Sequence, residues 1–264
     1  SAYPPVFVAM LRYWAFAVFV LLMAAKSSGG IRGAAIANRP WLQISRGVLL
    51  AVQIVFSIFS FAIVGLAHSH SIIASAPLIV AALSGPILGE KVGWRRWAAI
   101  GVGFLGVLVI LRPGHHVFSA VALVPFISAT SFAIYGLLTR HVSRDDPAQV
   151  SFFWTGIAGA VTVTVLGIRQ WEWLAPVDWI WMAILCVLGI ASHWLLIRAY
   201  ELAEASALQP FAYTQLVWVS FIGVLVFGEV LHMNVVIGAA IVVAAGLFTL
   251  WRARVTANRL RSGE

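Results

Sequence analysis

The sequence predicts an all-α membrane protein, arranged as an inverted repeat of two five-helix halves. Of its 264 residues, 62% are hydrophobic and only 10% are charged, whereas a soluble domain carries about 25% charged residues. Long apolar runs separated by short polar breaks produce this composition. The single cysteine, Cys186, lies in one of these runs, so no disulfide framework within the chain is predicted.

Nine apolar runs are predicted to span the membrane, because a helix needs about 20 apolar residues to cross the hydrocarbon core. The breaks between them contain Gly, Pro, Asn, Asp and charged residues, which is typical of loops. The predicted spans are Pro5–Ala25, Gly47–Leu66, Ile72–Leu88, Trp97–Leu111, Val117–Leu138, Val150–Ile168, Val177–Ile197, Ala205–Phe227 and Val235–Trp251.

Two matching segments indicate an internal repeat. Ser84 to Ile110 and Ser220 to Leu250 each contain an apolar helix that runs into Gly-Glu, then a short turn and a second apolar helix. The Gly-Glu helix is the third predicted span in one copy and the eighth in the other, so the second copy is inverted. Two halves of five helices need ten spans, and we therefore expect that the first helix is absent from this chain.

The distribution of positive charge predicts the orientation. If Ser1 lies outside, most of the 17 Lys and Arg residues fall in cytoplasmic breaks, Arg46 among them. Arg112 and Arg169 fall outside, and Arg12 lies within the first span. Because basic residues are retained on the cytoplasmic side, the C-terminus is predicted to be cytoplasmic. The net charge of +8 then faces anionic lipid headgroups, and no nucleic-acid partner is expected.

Two parts of the chain resemble the repeats of EamA-type carriers of the drug/metabolite transporter superfamily. The first is APLIVAALSGPILGEKVGWRRWAAIGVGFLGVLVILRPG, and the second is RAYELAEASALQPFAYTQLVWVSFIGVLVFGEV. The opening PPVFVAMLRYWAFAVFVLL resembles the second helix of such carriers, with Arg12 at their usual arginine. The resemblance implies a first repeat at 1–114 that lacks its first helix, a second repeat at 115–254 and a cytoplasmic tail at 255–264.

The same resemblance implies a function. Such carriers are secondary transporters of the bacterial inner membrane, and they move a small organic metabolite through a central cavity by alternating access. Their substrates include amino acids, riboflavin-like compounds, S-adenosylmethionine and amines, and the sequence does not choose among them. The resemblance also allows a homodimer.

Polar and large aromatic side chains within the spans are the candidates for substrate binding. Polar groups are costly in the bilayer, so they face a cavity or the protein interior. Each candidate has an alternative role in helix packing, because hydroxyl side chains bond their own backbone and deep tryptophans pack between helices. The candidates are Gln53, Ser57, Tyr135, Trp194, Gln209, Tyr213 and Trp218.

Two prolines are the candidates for gating. Pro77 and Pro210 fall inside predicted spans, where each removes a backbone hydrogen bond that only buried or water-lined helix tolerates. A kink at either position fits a gating element, and ordinary kinked packing fits equally well.

No catalytic residue, cofactor or metal site is predicted. The close histidine pairs, His68 with His70 and His115 with His116, fall in predicted outside loops without a nearby acid. No Gly-rich phosphate-binding motif is present, so ATP-driven transport is not expected. A non-transporting membrane subunit or a membrane-embedded enzyme remains the alternative. The repeat favours the carrier, because alternating access uses two related halves.

Overall fold

A computed structural model of the chain describes residues 3–27, 29–89, 94–111, 120–203, 205–228, 230 and 232–262. Every regular element in these ranges is helical, which confirms the predicted all-α class. A short 3-10 turn, Ile168–Gln170, follows the eighth helix. The helices are α1 (Pro5–Ala25), α2 (Gly30–Ala35), α3 (Pro40–Val64), α4 (Leu66–Ile73), α5 (Ala76–Leu88), α6 (Trp94–Leu111), α7 (Ala120–Val142), α8 (Ala148–Gly167), α9 (Pro176–Leu202), α10 (Ala205–Phe227) and α11 (Met233–Ser262).

Five helical segments within the described ranges are long and apolar enough to cross a membrane. They correspond to the first, second, fifth, sixth and seventh predicted spans. Shorter apolar helices coincide with the third, fourth and ninth, and α10 coincides with the eighth. The nine-span count and the inverted layout stay predictions. The five segments are Pro5–Ala25, Pro40–Val64, Leu123–Val142, Ala148–Gln170 and Pro176–Leu202.

The second predicted span begins too late. Helix α3 starts at Pro40, since a proline in the first turn has a pre-set φ and lacks only an N–H that would have no helical partner. Arg46, which was predicted to lie in a cytoplasmic break, is therefore inside the helix.

The third predicted span is divided between two helices. Helix α4 ends at Ile73, and α5 begins at Ala76. The predicted outside loop around His68 and His70 is wrong, because both residues belong to α4. The His70 ring stacks on Phe61, with the ring centroids 4.8 Å apart. The other predicted histidine pair, at 115–116, lies outside the described residues.

The chain divides into two compact units. The first combines Ser1–Ile58 with Leu138–Leu202, and the second combines Phe59–Leu137 with Ala203–Glu264. Each unit takes residues from both predicted repeats. The repeat boundaries stay a prediction.

In the first unit, glycines allow α1 to pack closely on α8. A Cβ atom at Gly159 would lie 2.1 Å from Cε1 of Tyr13, so the tyrosine ring occupies the space that a side chain would need. Trp14 Nε1 donates a 2.7 Å hydrogen bond to Thr164 Oγ1 across the same interface. Small residues permit such close backbone approach in membrane helices, and one polar bond adds to the packing.

A buried arginine joins three helices of the first unit. The Arg46 side chain is fully buried. Its Nη1 donates to Thr139 Oγ1 of α7 at 3.1 Å, and its Nη2 donates to Thr155 Oγ1 of α8 at 2.9 Å. The same nitrogen donates to Gln43 Oε1 at 2.9 Å and to the Ser151 carbonyl. The role predicted for Arg46, a loop charge that only sets orientation, is therefore incomplete.

The cluster around Arg46 ends at a buried carboxylate. Gln43 Nε2 donates to Asp146 Oδ2 at 2.9 Å, and the Asn38 backbone N–H donates to Asp146 Oδ1 at 2.8 Å. Asp146 is only 3% exposed. Gln43 thus links a buried cation to a buried anion, which satisfies charges that would otherwise be costly to bury.

In the second unit, the two copies of the Gly-Glu motif share one backbone feature. Gly89 ends α5 with φ of +74°, and Gly228 follows α10 with φ of +63°. Glycine is the residue that adopts this left-handed conformation without strain, and it commonly terminates helices. Gly106 of α6 packs against α11, where a Cβ atom would lie 2.9 Å from the Gly238 carbonyl oxygen.

Candidate functional site

A small cavity inside the first unit is the candidate functional site. Three helices, α1, α3 and α9, supply its walls. It leaves about 10 Å³ for the centre of a water-sized sphere, which is at the lower limit of the space that one water molecule needs. The lining residues are Arg12, Tyr13, Phe16, Ile54, Cys186, Gly189, Ile190 and His193.

Arg12 supplies the charge in this cavity. It is the single charged residue of α1, a helix of 21 otherwise largely apolar residues. Its guanidinium approaches α9 at Gly189, where a Cβ atom would lie 3.0 Å from Nη2. An arginine at the centre of a membrane helix costs about 2.5–3.5 kcal/mol on insertion scales, and such residues mark functional sites. Glycine at 189 is what gives the guanidinium its place.

His193 of α9 also lines the cavity. Its Nδ1 lies 2.8 Å from the Gly189 carbonyl oxygen. Because a carbonyl only accepts, Nδ1 carries the proton in this bond, which holds the imidazole against its own helix. Its ring centroid lies 6.1 Å from that of Phe16.

Aromatic rings continue from the cavity along the same unit. The centroids of Phe16 and Phe152 are 4.7 Å apart, and Phe152 meets Trp194 edge-on at 5.0 Å. Arg198 Cζ lies 6.0 Å from the Trp194 ring centroid. Such rings can stack on a flat ligand or contact a cationic one.

Three predicted substrate-binding residues lie in the first unit. Gln53 Nε2 donates to Ser57 Oγ at 2.8 Å, and both side chains are buried. Gln53 precedes Ile54, which lines the cavity, and Trp194 follows His193 and is half-buried. Gln53 and Trp194 are therefore sequence neighbours of lining residues. None of the three predicted residues is itself among those that line the cavity. Their part in substrate binding stays a prediction.

The other predicted residues belong to the second unit. Tyr135 is fully buried, and its ring stacks on Phe132 with centroids 6.3 Å apart. Trp218 is 65% exposed. The remaining three lie on α10, and their side chains are outside the part of the structure that is described: Gln209, Pro210 and Tyr213.

The predicted position of Pro77 in a helix interior is wrong. Pro77 lies in the first turn of α5, where its missing N–H removes no helical hydrogen bond and causes no kink. The described helices do hold interior prolines, at Pro86 of α5 and Pro125 of α7. The gating role of Pro77 and Pro210 stays a prediction.

The sequence contains a signal for the cavity that was missed. On α9, Cys186, Gly189, Ile190 and His193 are spaced i, i+3, i+4 and i+7, which places them on one helical face. The structure, not the spacing, places Arg12 of α1 against this face, so that a cation, a thiol and an imidazole line one cavity. Within the described residues, no group of three or more His, Cys, Asp or Glu side chains could hold a metal ion.

Fold and cavity together define a class, the all-helical multi-pass membrane proteins that enclose a polar, aromatic-lined site between their spans. The chain belongs to the EamA-like transporter family, which matches residues 1–112 and 119–251. This finding confirms the predicted resemblance. The protein is a membrane transporter for a small metabolite, located in the inner membrane, and its relatives suggest that it is not an enzyme.

Individual relatives are similar over most of the chain. An S-adenosylmethionine uptake transporter of Rickettsia prowazekii is 27% identical over 247 residues, covering 92% of this chain and 82% of the relative. A riboflavin transporter of Vibrio cholerae is 28% identical over 255 residues, covering 95% and 85%. One crystal structure of a protein superposes with a TM-score of 0.69 at 19% identity, covering 96% of this chain and 90% of the other, and supports the fold.

Proposed function

We propose that the protein is a secondary transporter that moves a small organic metabolite by alternating access, and that the cavity of the first unit is part of its substrate site. One observation carries this proposal: Arg12 and His193 line one cavity beside aromatic rings, and both lie within apolar helices. A membrane helix keeps a charge at its centre when the charge serves a ligand or pathway.

The names of the relatives suggest the chemical class of the substrate. S-adenosylmethionine and riboflavin both carry a flat ring system, and the rings of Phe16, Phe152 and Trp194 offer faces and edges for such a group. The proposal therefore takes one of these two compounds, or an analogue with the same kind of ring, as the substrate.

The remaining parts of the proposal come from the sequence. The two repeats, at 1–114 and 115–254, open the site in turn to each side of the membrane. The tail at 255–264 lies in the cytoplasm. The proposal includes a homodimer. Size-exclusion chromatography with light scattering in detergent would measure its mass. The pathway is completed by the predicted residues Gln53, Ser57, Tyr135, Trp194, Gln209, Tyr213 and Trp218, with Pro77 and Pro210 at its gates.

A ligand screen tests the proposed site. The melting temperature of the purified protein in mild detergent is measured with S-adenosylmethionine and with riboflavin. A ligand that binds only the folded state adds about 2.7 kcal/mol of stability at a hundredfold excess over Kd. We expect a saturable rise with one of the two.

A matched pair of tryptophan variants locates the effect. Trp194→Ala, beside the cavity, should lower the apparent affinity for the ligand about tenfold, as read from the dependence of the melting temperature on ligand concentration. This is expected for the loss of a stacking partner together with its buried area. Trp41→Ala, at a side chain that is 81% exposed, should leave the ligand effect unchanged. Equal behaviour of the two variants would remove Trp194 from the site.

A further inference from the structure

We propose that Arg12 is a subsite for a single carboxylate of the transported metabolite. The inference rests on the proposed function, because it assigns one chemical group of the substrate to one residue of the cavity. It also selects between the two substrate classes, since S-adenosylmethionine carries an amino-acid carboxylate and riboflavin carries none.

The charge of Arg12 has no acidic counterpart within the predicted spans. In the sequence, all nine acidic residues fall between these spans or at their ends: Glu90, Asp145, Asp146, Glu172, Asp178, Glu201, Glu204, Glu229 and Glu264. Within the described part of the first unit, no carboxylate lines the cavity around Arg12, whose other walls are supplied by Tyr13, Phe16, Ile54, Cys186, Gly189, Ile190 and His193. A buried cation needs an anionic partner. A ligand carboxylate would supply the charge that the span lacks.

Open space adjoins the guanidinium. Arg12 reaches α9 at a position without a side chain, Gly189, and the adjoining cavity leaves about 10 Å³ for the centre of a water-sized sphere. The planar guanidinium matches a carboxylate with two parallel N–H···O bonds. Lysine would offer a point charge and lose this geometry.

A surface of aromatic rings adjoins the cavity. Phe16 lines the same cavity as Arg12 and continues into the Phe16–Phe152–Trp194 cluster. A metabolite with a carboxylate at one end and a flat ring at the other could therefore place its two ends on two different parts of one unit. S-adenosylmethionine has this division of charge and ring.

The first test is independent of the substrate. Cys186, the single cysteine of the chain, lines the cavity with Arg12. Its rates of reaction with anionic sulfonatoethyl methanethiosulfonate and with cationic trimethylammonioethyl methanethiosulfonate are measured, because the ratio of the two rates cancels the reactivity of the thiol. We expect the anionic reagent to react at least about tenfold faster, through its attraction to Arg12.

Arg12→Gln should abolish this preference, whereas Lys26→Gln, at the exposed end of α1, should retain it. Arg12→Lys keeps the positive charge and should keep the preference. A rate ratio near one in the unmodified protein would overturn the proposal, and so would a thiol that reacts with neither reagent. If Arg12→Gln does not fold, the ratio of the two Cys186 reaction rates in the unmodified protein and in Arg12→Lys still shows whether the cavity attracts an anion.

The second test removes the carboxylate from the ligand. Binding of S-adenosylmethionine and of decarboxylated S-adenosylmethionine is compared in the unmodified protein, Arg12→Gln and Lys26→Gln. Loss of the carboxylate should weaken binding about tenfold or more, as for a lost charge-assisted hydrogen bond, and Arg12→Gln should bind both compounds equally weakly. Equal binding of both by the unmodified protein would overturn the subsite and leave transport standing. If neither of these compounds nor riboflavin binds, the assignment of these two substrates fails, and the Cys186 rate ratio decides the subsite alone.

Discussion

Replacing Arg46 by methionine should destabilise the protein strongly, because one side chain holds α3, α7 and α8 together. The fully buried guanidinium lies within hydrogen-bonding distance of Thr139, Gln43, Ser151 and Thr155. A hydrogen bond to a charged group contributes about 1.5–3 kcal/mol. Burial of the guanidinium opposes this gain by several kcal/mol, and removal of one member of such a buried cluster typically costs about 3–5 kcal/mol. We expect Arg46→Met to lower the free energy of unfolding by this amount.

The assay is thermal unfolding in mild detergent, followed by intrinsic tryptophan fluorescence. A loss of about 3–5 kcal/mol corresponds to a fall in melting temperature of about 10 °C for a chain of this size. Arg32→Met, at an exposed side chain of α2, should change stability by no more than about 0.5 kcal/mol. Arg46→Lys should fall between the two, since an ammonium cannot reproduce the forked geometry. If Arg46→Met and Arg32→Met melt together, the buried cluster does not stabilise the fold as argued.

Two further predictions concern glycines, with Gly101→Ala as their common control because nothing lies within 4 Å of a Cβ atom there. Gly159→Ala should cost about 1–3 kcal/mol by overpacking against Tyr13, while Gly101→Ala should stabilise its helix by up to about 1 kcal/mol; similar melting temperatures would argue against tight α1–α8 packing. Gly89→Ala and Gly228→Ala should each cost about 1–2 kcal/mol, because φ is left-handed at both positions. Thermal unfolding that separates neither variant from the control would contradict the shared turn.

Hydropathy alone was sufficient for the class of fold and for the approximate place of most helices. A span that must bury its backbone in lipid is helical whatever its neighbours are, so Pro5–Ala25 and Ala205–Phe227 have the same bounds in sequence and structure. The repeated Gly-Glu pattern likewise pointed to a turn, and Gly89 and Gly228 both adopt the left-handed conformation there.

Buried charge could not be predicted by the same means. Arg46 stands at the edge of an apolar run, where a loop charge and a buried one give the same hydropathy. Only the placement of Gln43, Thr139 and Thr155 around it distinguishes the two. The start of α3 at Pro40 was a local signal that would have moved Arg46 into the helix.

The candidate cavity depends on which helices are neighbours. Residues of α1, α3 and α9 line it, and these helices are separated by more of the chain than any local pattern covers. The spacing of Cys186, Gly189 and His193 places them on one face of α9, a pattern absent from the sequence predictions, and nothing in the sequence indicates that Arg12 lines the same cavity. Gln53 and Trp194 were chosen for their polarity and depth, and they came to lie next to lining residues rather than on the wall itself.

Counterflow across a sealed membrane tests the central claim most directly. Liposomes that contain the purified protein are loaded with unlabelled S-adenosylmethionine or riboflavin, and entry of the labelled compound from outside is followed. A carrier that works by alternating access exchanges one for the other, so the label should rise transiently above its equilibrium level with one of the two substrates. Protein-free liposomes should show no such rise. Passive equilibration without an overshoot, or no entry of either label, would contradict the account.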